Sequence, residues 1–170
     1  MDIFRAILDG IAMAAIFNGA AATVVLINPR YFFDSYPKAI QKAAPKQMTK
    51  EEKHVNFIFT IVVMGICAAY EIISNVHTGI TGFWPLFWTG YINWNIVNFG
   101  DFFLLDCLLF QGKYKGRIVI PGTEGHPDYE VGNWMKHLGL REHFLLWPFI
   151  LVPIYSAVQA GIIMLVRVVL

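Results

Sequence analysis

Charge is scarce in this chain. Asp, Glu, Lys and Arg make up 15% of its 170 residues, where an ordinary soluble domain has about 25%. Apolar residues reach 56%, and mean hydropathy is +0.53. A larger soluble core would add apolar residues but would not remove the charged surface, so the two shifts together exclude an ordinary soluble domain and point to the bilayer. The formal net charge of +1 provides no global field for nucleic acid. Two cysteines, Cys67 and Cys107 in different apolar segments, exclude a zinc knuckle and a disulfide framework. No His-Glu-x-x-His, Gly-x-Ser-x-Gly or Walker pattern is present. Five histidines are too few for a multi-histidine di-iron oxygenase. A positive leading region is also missing, because Asp2 and Asp9 flank Arg5. The first apolar segment therefore reads as a retained span and not a cleaved signal.

The sequence does contain long apolar runs. A membrane helix needs about 20 mostly apolar residues. Four stretches qualify, at about 4–27, 55–76, 82–110 and 144–170. Asn28-Pro29 stops the first, and Thr49-Lys50-Glu51-Glu52 announces the second as a capping box. The expected fold is an all-α membrane protein, four transmembrane helices in one domain over 1–170. Eleven of the 13 basic residues fall in the two connections 28–54 and 111–143, and the short link 75–81 holds none. The positive-inside rule then places both connections in the cytoplasm and both termini outside, in a plasma or bacterial inner membrane. Trp84 and Trp88 at one end, with Tyr31, Phe32, Phe33, Tyr36 and Trp147 at the other, suit the headgroup level.

The inner connections are more than turns. Ser35–Ala44 reads as a short surface helix with Lys38 and Lys42 on one face, attractive to anionic lipid or merely topogenic. In the second connection, Arg117–Ile120 reads as a short β-like run, Pro121–Asp128 as turns, and Val131–Leu138 as amphipathic and interfacial.

Polar residues inside hydrocarbon need a reason. On the third span Asn95, Asn98, Asp101 and Asp106 share one arc at about 100° per residue. Lipid cannot satisfy them, so they face protein or a wet cavity. Asp101 lies roughly 28 Å below Gly82 at about 1.5 Å per residue, near the inner boundary. Two readings stand: asparagine glue with solvated aspartates, or a carboxylate-lined pocket open to the cytoplasm. At the outer end Asp9, Glu71 and Arg167 come to similar depth, and a Glu71–Arg167 ion pair is expected there. A Glu71 cation or proton relay is the alternative. Gly10, Ala14, Asn18 and Ala22 recur every four residues on the first span, a packing face within the chain or in a dimer. Gln159 is positioned to bond Asn18 or the asparagine stripe. Pro153 should kink the fourth span and free a carbonyl.

The second connection also gathers Glu124, His126, Asp128, Glu130, His137, Glu142 and His143. With Asp101 and Asp106 these offer nitrogen and oxygen ligands for a divalent metal, or are ordinary loop polarity. Haem would need facing histidines, for which His54 and His143 are the available pair. Histidines at helix boundaries are ordinarily interfacial, and haem is not expected.

Ile120-Pro121-Gly122-Thr123-Glu124-Gly125, following a span with Asp101 and Asp106, resembles a motif of uncharacterised small polytopic bacterial membrane proteins. The resemblance covers the third span and the start of the next loop. It implies no activity; it singles out Asp101, Asp106 and Glu124 to act together. The sequence therefore points to an inner-membrane protein whose cytoplasm-facing polar site, built from Asn95, Asn98, Asp101, Asp106 and Glu124, with His126 or His137, binds or transports a cation, metal or small lipid-like ligand. Transport through so few spans would call for an oligomer. The alternatives are an enzyme acting on a lipid head group through a metal or carboxylates, and an accessory subunit of a larger membrane complex.

Overall fold

The computed structural model describes residues 2–169 and is helical throughout its regular elements. Leu170, the expected last residue of the fourth span, lies outside the described residues. Helix α1 runs Ile3–Ile27, α2 Lys38–Ala43, α3 Lys50–Val76 and α4 Phe83–Gly100, and α4 continues without a break as a π-helical stretch, Asp101–Phe110. The last helix, Val131–Val169, comprises α5 (Val131–Trp134), a π-helical stretch (Met135–Leu151) and α6 (Val152–Val169). Among the described residues three helices are long and apolar enough to cross a membrane: Ile3–Ile27, Lys50–Val76 and Val131–Val169. Their outward faces carry exposed Phe57, Ile61, Ile66, Phe149, Ile154 and Leu165, which suits a hydrocarbon solvent. The chain is thus all-helical and membrane-embedded in character.

Local chemistry sets the helix ends. Asp2 caps α1 through Arg5 N at 3.1 Å, and α1 stops at Ile27, before Asn28-Pro29. Thr49 and Glu52 form the reciprocal capping box of α3, with Thr49 N to Glu52 Oε2 at 2.7 Å and Glu52 N to Thr49 Oγ1 at 3.1 Å. Arg30 donates to both Glu52 oxygens, at 2.6 and 3.1 Å, which ties the first connection to the start of α3.

Helix α4 is central, packed on α1 and α6, while α3 packs on the other sides of the same two helices. Small residues permit the approach. A Cβ at Gly10 would lie 3.2 Å from Asn93 Cα, and one at Gly90 would lie 3.4 Å from Ser156 Cα. The Gly10, Ala14, Asn18 face of α1 is therefore spent within the chain, against α4. Asn93, with its amide turned so that the nitrogen faces the carbonyls around it, donates to Ala6 O on α1 at 2.7 Å, and Asn18 donates to Val97 O on α4 at 3.5 Å. Gln159 bonds neither Asn18 nor the asparagine stripe; its Oε1 accepts from Trp94 Nε1 at 2.8 Å.

The two basic connections fold together into a cap at one end of the helices. Phe33, Tyr36, Ile40, Ile118, Ile120 and Trp134 share one buried cluster. Tyr36 Oη donates to Ile118 O at 2.7 Å, and Ile120 N donates to Tyr129 Oη at 3.0 Å. This packing bears on two expectations. The short helix is Lys38–Ala43; Lys38 and Lys42 are exposed on its outer face, while Ile40 and Gln41 are buried and hold it to the cap. The Arg117–Ile120 run forms no strand; no partner strand exists among the described residues, and its amide at Ile120 is met by a tyrosine instead. Gly122 turns the chain at φ 85°, and a side chain there would run into Pro45.

Gly122→Ala should destabilise the cap by about 1–2 kcal/mol, the cost of a side chain at positive φ. Hydrogen exchange at the Ile118 and Ile120 amides would report it, with α1 and α4 protection unchanged.

Candidate functional site

Helix geometry creates the site. From Asp101 onward the helix is π-helical, and i→i+5 closure brings residues five apart close to one face. Asp101 and Asp106 are five apart. On an α-helix they would diverge widely, but here both reach the same imidazole: His143 Nε2 lies 3.1 Å from Asp106 Oδ2 and 3.8 Å from Asp101 Oδ2. Trp134 Nε1 donates to Asp106 Oδ1 at 3.3 Å, fixing the second oxygen of that carboxylate.

The last helix is π-helical over the facing stretch, where Val152 N donates to Trp147 O, five residues back. In that register Pro148 has no N–H for His143 O, and Pro153 has none for Pro148 O. Both freed carbonyls are met by α4. Asn98 Nδ2 donates to His143 O at 2.9 Å, and Tyr91 Oη donates to Pro148 O at 3.2 Å. Tyr91 and Asn98 are seven residues apart, two turns on one face. The expected kink and free carbonyl at Pro153 thus become a pair of interhelical clamps.

The Asn98 clamp decides the chemistry of His143. A carbonyl only accepts, so the Asn98 nitrogen must point at His143 O, and Asn98 Oδ1 must face the ring. His143 Nδ1 lies 2.9 Å from that oxygen, so Nδ1 carries a proton and donates. Nε2 then faces Asp106 with one proton on the contact, carried by the imidazolium or by the carboxyl. His143 is 3% exposed and Asp106 6%, so bulk water does not compete for it.

Beside this pair lies a cavity of about 300 Å³, a size typical of the smaller organic-ligand pockets. Asp101, Asp106, Glu142 and His143 line its polar side; Phe17, Phe32, Phe59, Phe110, Trp147 and Tyr155 are among its aromatic walls. No Lys or Arg lines it.

The structure assembles some of the expected residues and separates others. Asn98, Asp101 and Asp106 meet at His143. Asn95 does not join them; its Nδ2 donates to Tyr91 O of its own helix at 2.8 Å. Glu124 is exposed in the cap, where Gly122 N donates to its Oε1 at 3.0 Å, and that bond holds its pKa below the ordinary carboxylate value. His126 Nδ1 accepts from Asp128 N at 3.1 Å, and His137 lies 3.9 Å from Asp128. None of these three lines the cavity. Among the described residues no three His, Cys, Asp or Glu side chains are disposed to hold a metal. His54 is exposed and does not face His143. Glu142 and His143, named from the sequence only among the possible ligands of the second connection, and Trp134, not named at all, complete the site. The one signal for Trp134 was its position in the stretch entering the last helix.

The end of the helices opposite the cap also differs from expectation. Glu71 and Arg167 are not paired. Arg167 turns to the C-terminal carbonyls of α3 and the following link, donating to Val76 O at 3.2 Å, Thr78 O at 3.1 Å, and also Asn75 O and Ile80 O. A helix end presents unpaired carbonyls and partial negative charge, a better match for five donors than one carboxylate. Glu71 is 1% exposed and packs against Gly90. Asp9 accepts from Tyr70 Oη at 2.9 Å and Ser74 Oγ at 2.8 Å, with Arg5 3.7 Å away.

Asn98→Leu should abolish the permanent Nδ1 proton of His143, read by ¹⁵N NMR against a His143→Gln reference spectrum. It should also cost about 2–3 kcal/mol by orphaning a carbonyl and a ring nitrogen.

Comparison with protein-family models, with curated proteins and with solved structures gives no match at all.

Proposed function

We propose that the chain crosses a plasma or inner membrane four times, with both termini outside, and binds a small cationic ligand in the cavity at its cytoplasmic end. The four-crossing arrangement draws support from the cap. The connections following α1 and α4 bury residues in one cluster, which favours one side of the membrane for both and hence two crossings, by α3 and α4, between them. Helix α4 is less apolar than the others because it carries Asn93, Asn95 and Asn98. It packs on both α1 and α6, and its buried Asn93 and Asn98 face α1 and the last helix, so it need not be apolar all round. Eleven of 13 basic residues in those same connections orient them inward.

One observation carries the ligand reading: three carboxylates, Asp101, Asp106 and Glu142, share the cavity lining with a single histidine and no Lys or Arg. Carboxyls crowded in low dielectric either take up protons or meet a cation, and with no Lys or Arg in the lining the ligand reading supplies that cation from outside. Aromatic walls favour an organic cation over a hydrated metal ion, because ring faces attract ammonium groups. The 3.1 Å contact between His143 Nε2 and Asp106 Oδ2 supports a second reading, in which the same pair performs acid–base chemistry on the bound ligand.

Benzyltrimethylammonium should raise the melting temperature of the purified protein, and its neutral carbon isostere neopentylbenzene should not. Asp101→Asn should stabilise the ligand-free protein by about 1 kcal/mol, as relief of a functional strain does, and should remove the ammonium response. An Asp101→Asn protein that is less stable yet responds normally would make the carboxylate structural glue.

A further inference from the structure

A second concavity, an open groove of about 680 Å³, runs along the outward face of the last helix. Its lining is sorted by length. His137, Arg141 and Glu142 occupy one end; Leu145, Leu146, Phe149 and Ile150 occupy the other. His137, Arg141, Leu145 and Phe149 recur every four residues, so the polar end and the apolar end belong to one face. The polar end lies beside the cap and the apolar end runs into the stretch that would sit in hydrocarbon.

Arg141 stands out at the polar end. It is exposed and makes neither a hydrogen bond nor an ion pair among the described residues. Arg30 and Arg167, by contrast, are each held by several acceptors. The other charges facing this end are His137, which lies 3.9 Å from Asp128, and Glu142, which also lines the acidic cavity. Lys136 is exposed nearby but does not line the groove. The guanidinium is therefore the one uncommitted cation over an apolar trough.

We propose that this groove binds one anionic phospholipid, with its phosphate on Arg141 and an acyl chain along Leu145, Phe149 and Ile150. A planar guanidinium matches phosphate oxygens in pairs, and basic pockets on the cytoplasmic side of membrane helices hold anionic head groups in this way. The inference requires the last helix to lie in a bilayer and takes nothing from the identity of the cavity's ligand. Glu142 lines both the groove and the cavity.

Native mass spectrometry of the full chain released from nanodiscs of equal phosphatidylglycerol and phosphatidylcholine tests this. One phosphatidylglycerol should be retained in preference to phosphatidylcholine. Arg141→Gln should lower that retention about fivefold, the effect of one basic residue at an anionic surface. Lys136→Gln, a control of equal charge, should leave it unchanged. Leu146→Trp, which fills the groove without altering charge, should abolish it. Equal retention of the two lipids, equal loss in the two charge variants, or a second copy of the chain in the lipid's place would each overturn the proposal. The two charge variants change exposed side chains, so they remain informative should Leu146→Trp fail to fold. The ammonium response of the cavity is read separately, and its presence or absence does not bear on lipid retention.

Discussion

Hydrocarbon offers no hydrogen-bonding partner, so each backbone carbonyl set free within the membrane has to be met by this chain's own side chains. That constraint organises the structure. Two prolines five residues apart free the carbonyls of His143 and Pro148, and Asn98 and Tyr91 of the central helix meet them. The C-terminal carbonyls of α3 are met by Arg167. In each case a polar group that would be a liability in lipid becomes the contact that sets one helix against another.

The site follows from the first of these clamps. Asn98 cannot satisfy the His143 carbonyl without presenting its own oxygen to the imidazole. That bond fixes the ring, and the fixed ring faces two carboxylates brought together by the π-helical register. A feature required for backbone satisfaction thereby orients a proton-bearing pair at the edge of an aromatic cavity. The interhelical packing and the candidate chemistry depend on the same side chain, which is why Asn98→Leu is expected to affect both.

The cap has a comparable double use. Its apolar cluster, built from both basic connections, brings Trp134 onto Asp106 and closes the end of the cavity nearest the cap. Glu124 and the turns around it, which the sequence made prominent, serve this cap and stand away from the acids. Residues that share a motif in sequence are here divided between two tasks, because the motif bridges a buried cap and the helix ends that carry the site.

Much of the framework was legible from the residues themselves. The helix boundaries at Asn28-Pro29 and Thr49–Glu52 depend on backbone chemistry a few residues long, and the apolar runs depend on the solvent, so both can be read without a fold. Asn98, Asp101 and Asp106 were legible as a face that lipid could not satisfy. Three matters were settled only by tertiary structure. Asn95 left the stripe because its own helix offered an acceptor one turn back. Arg167 chose carbonyls over Glu71 because the end of α3 supplied several acceptors at once. Asp101 and Asp106 converged on His143 because the helix carrying them is π-helical there, a register that no periodicity in its sequence encodes. Sequence determined which groups could not be left in lipid; only the packed helices decided which partner each one met, since that depends on distances between segments far apart in the chain.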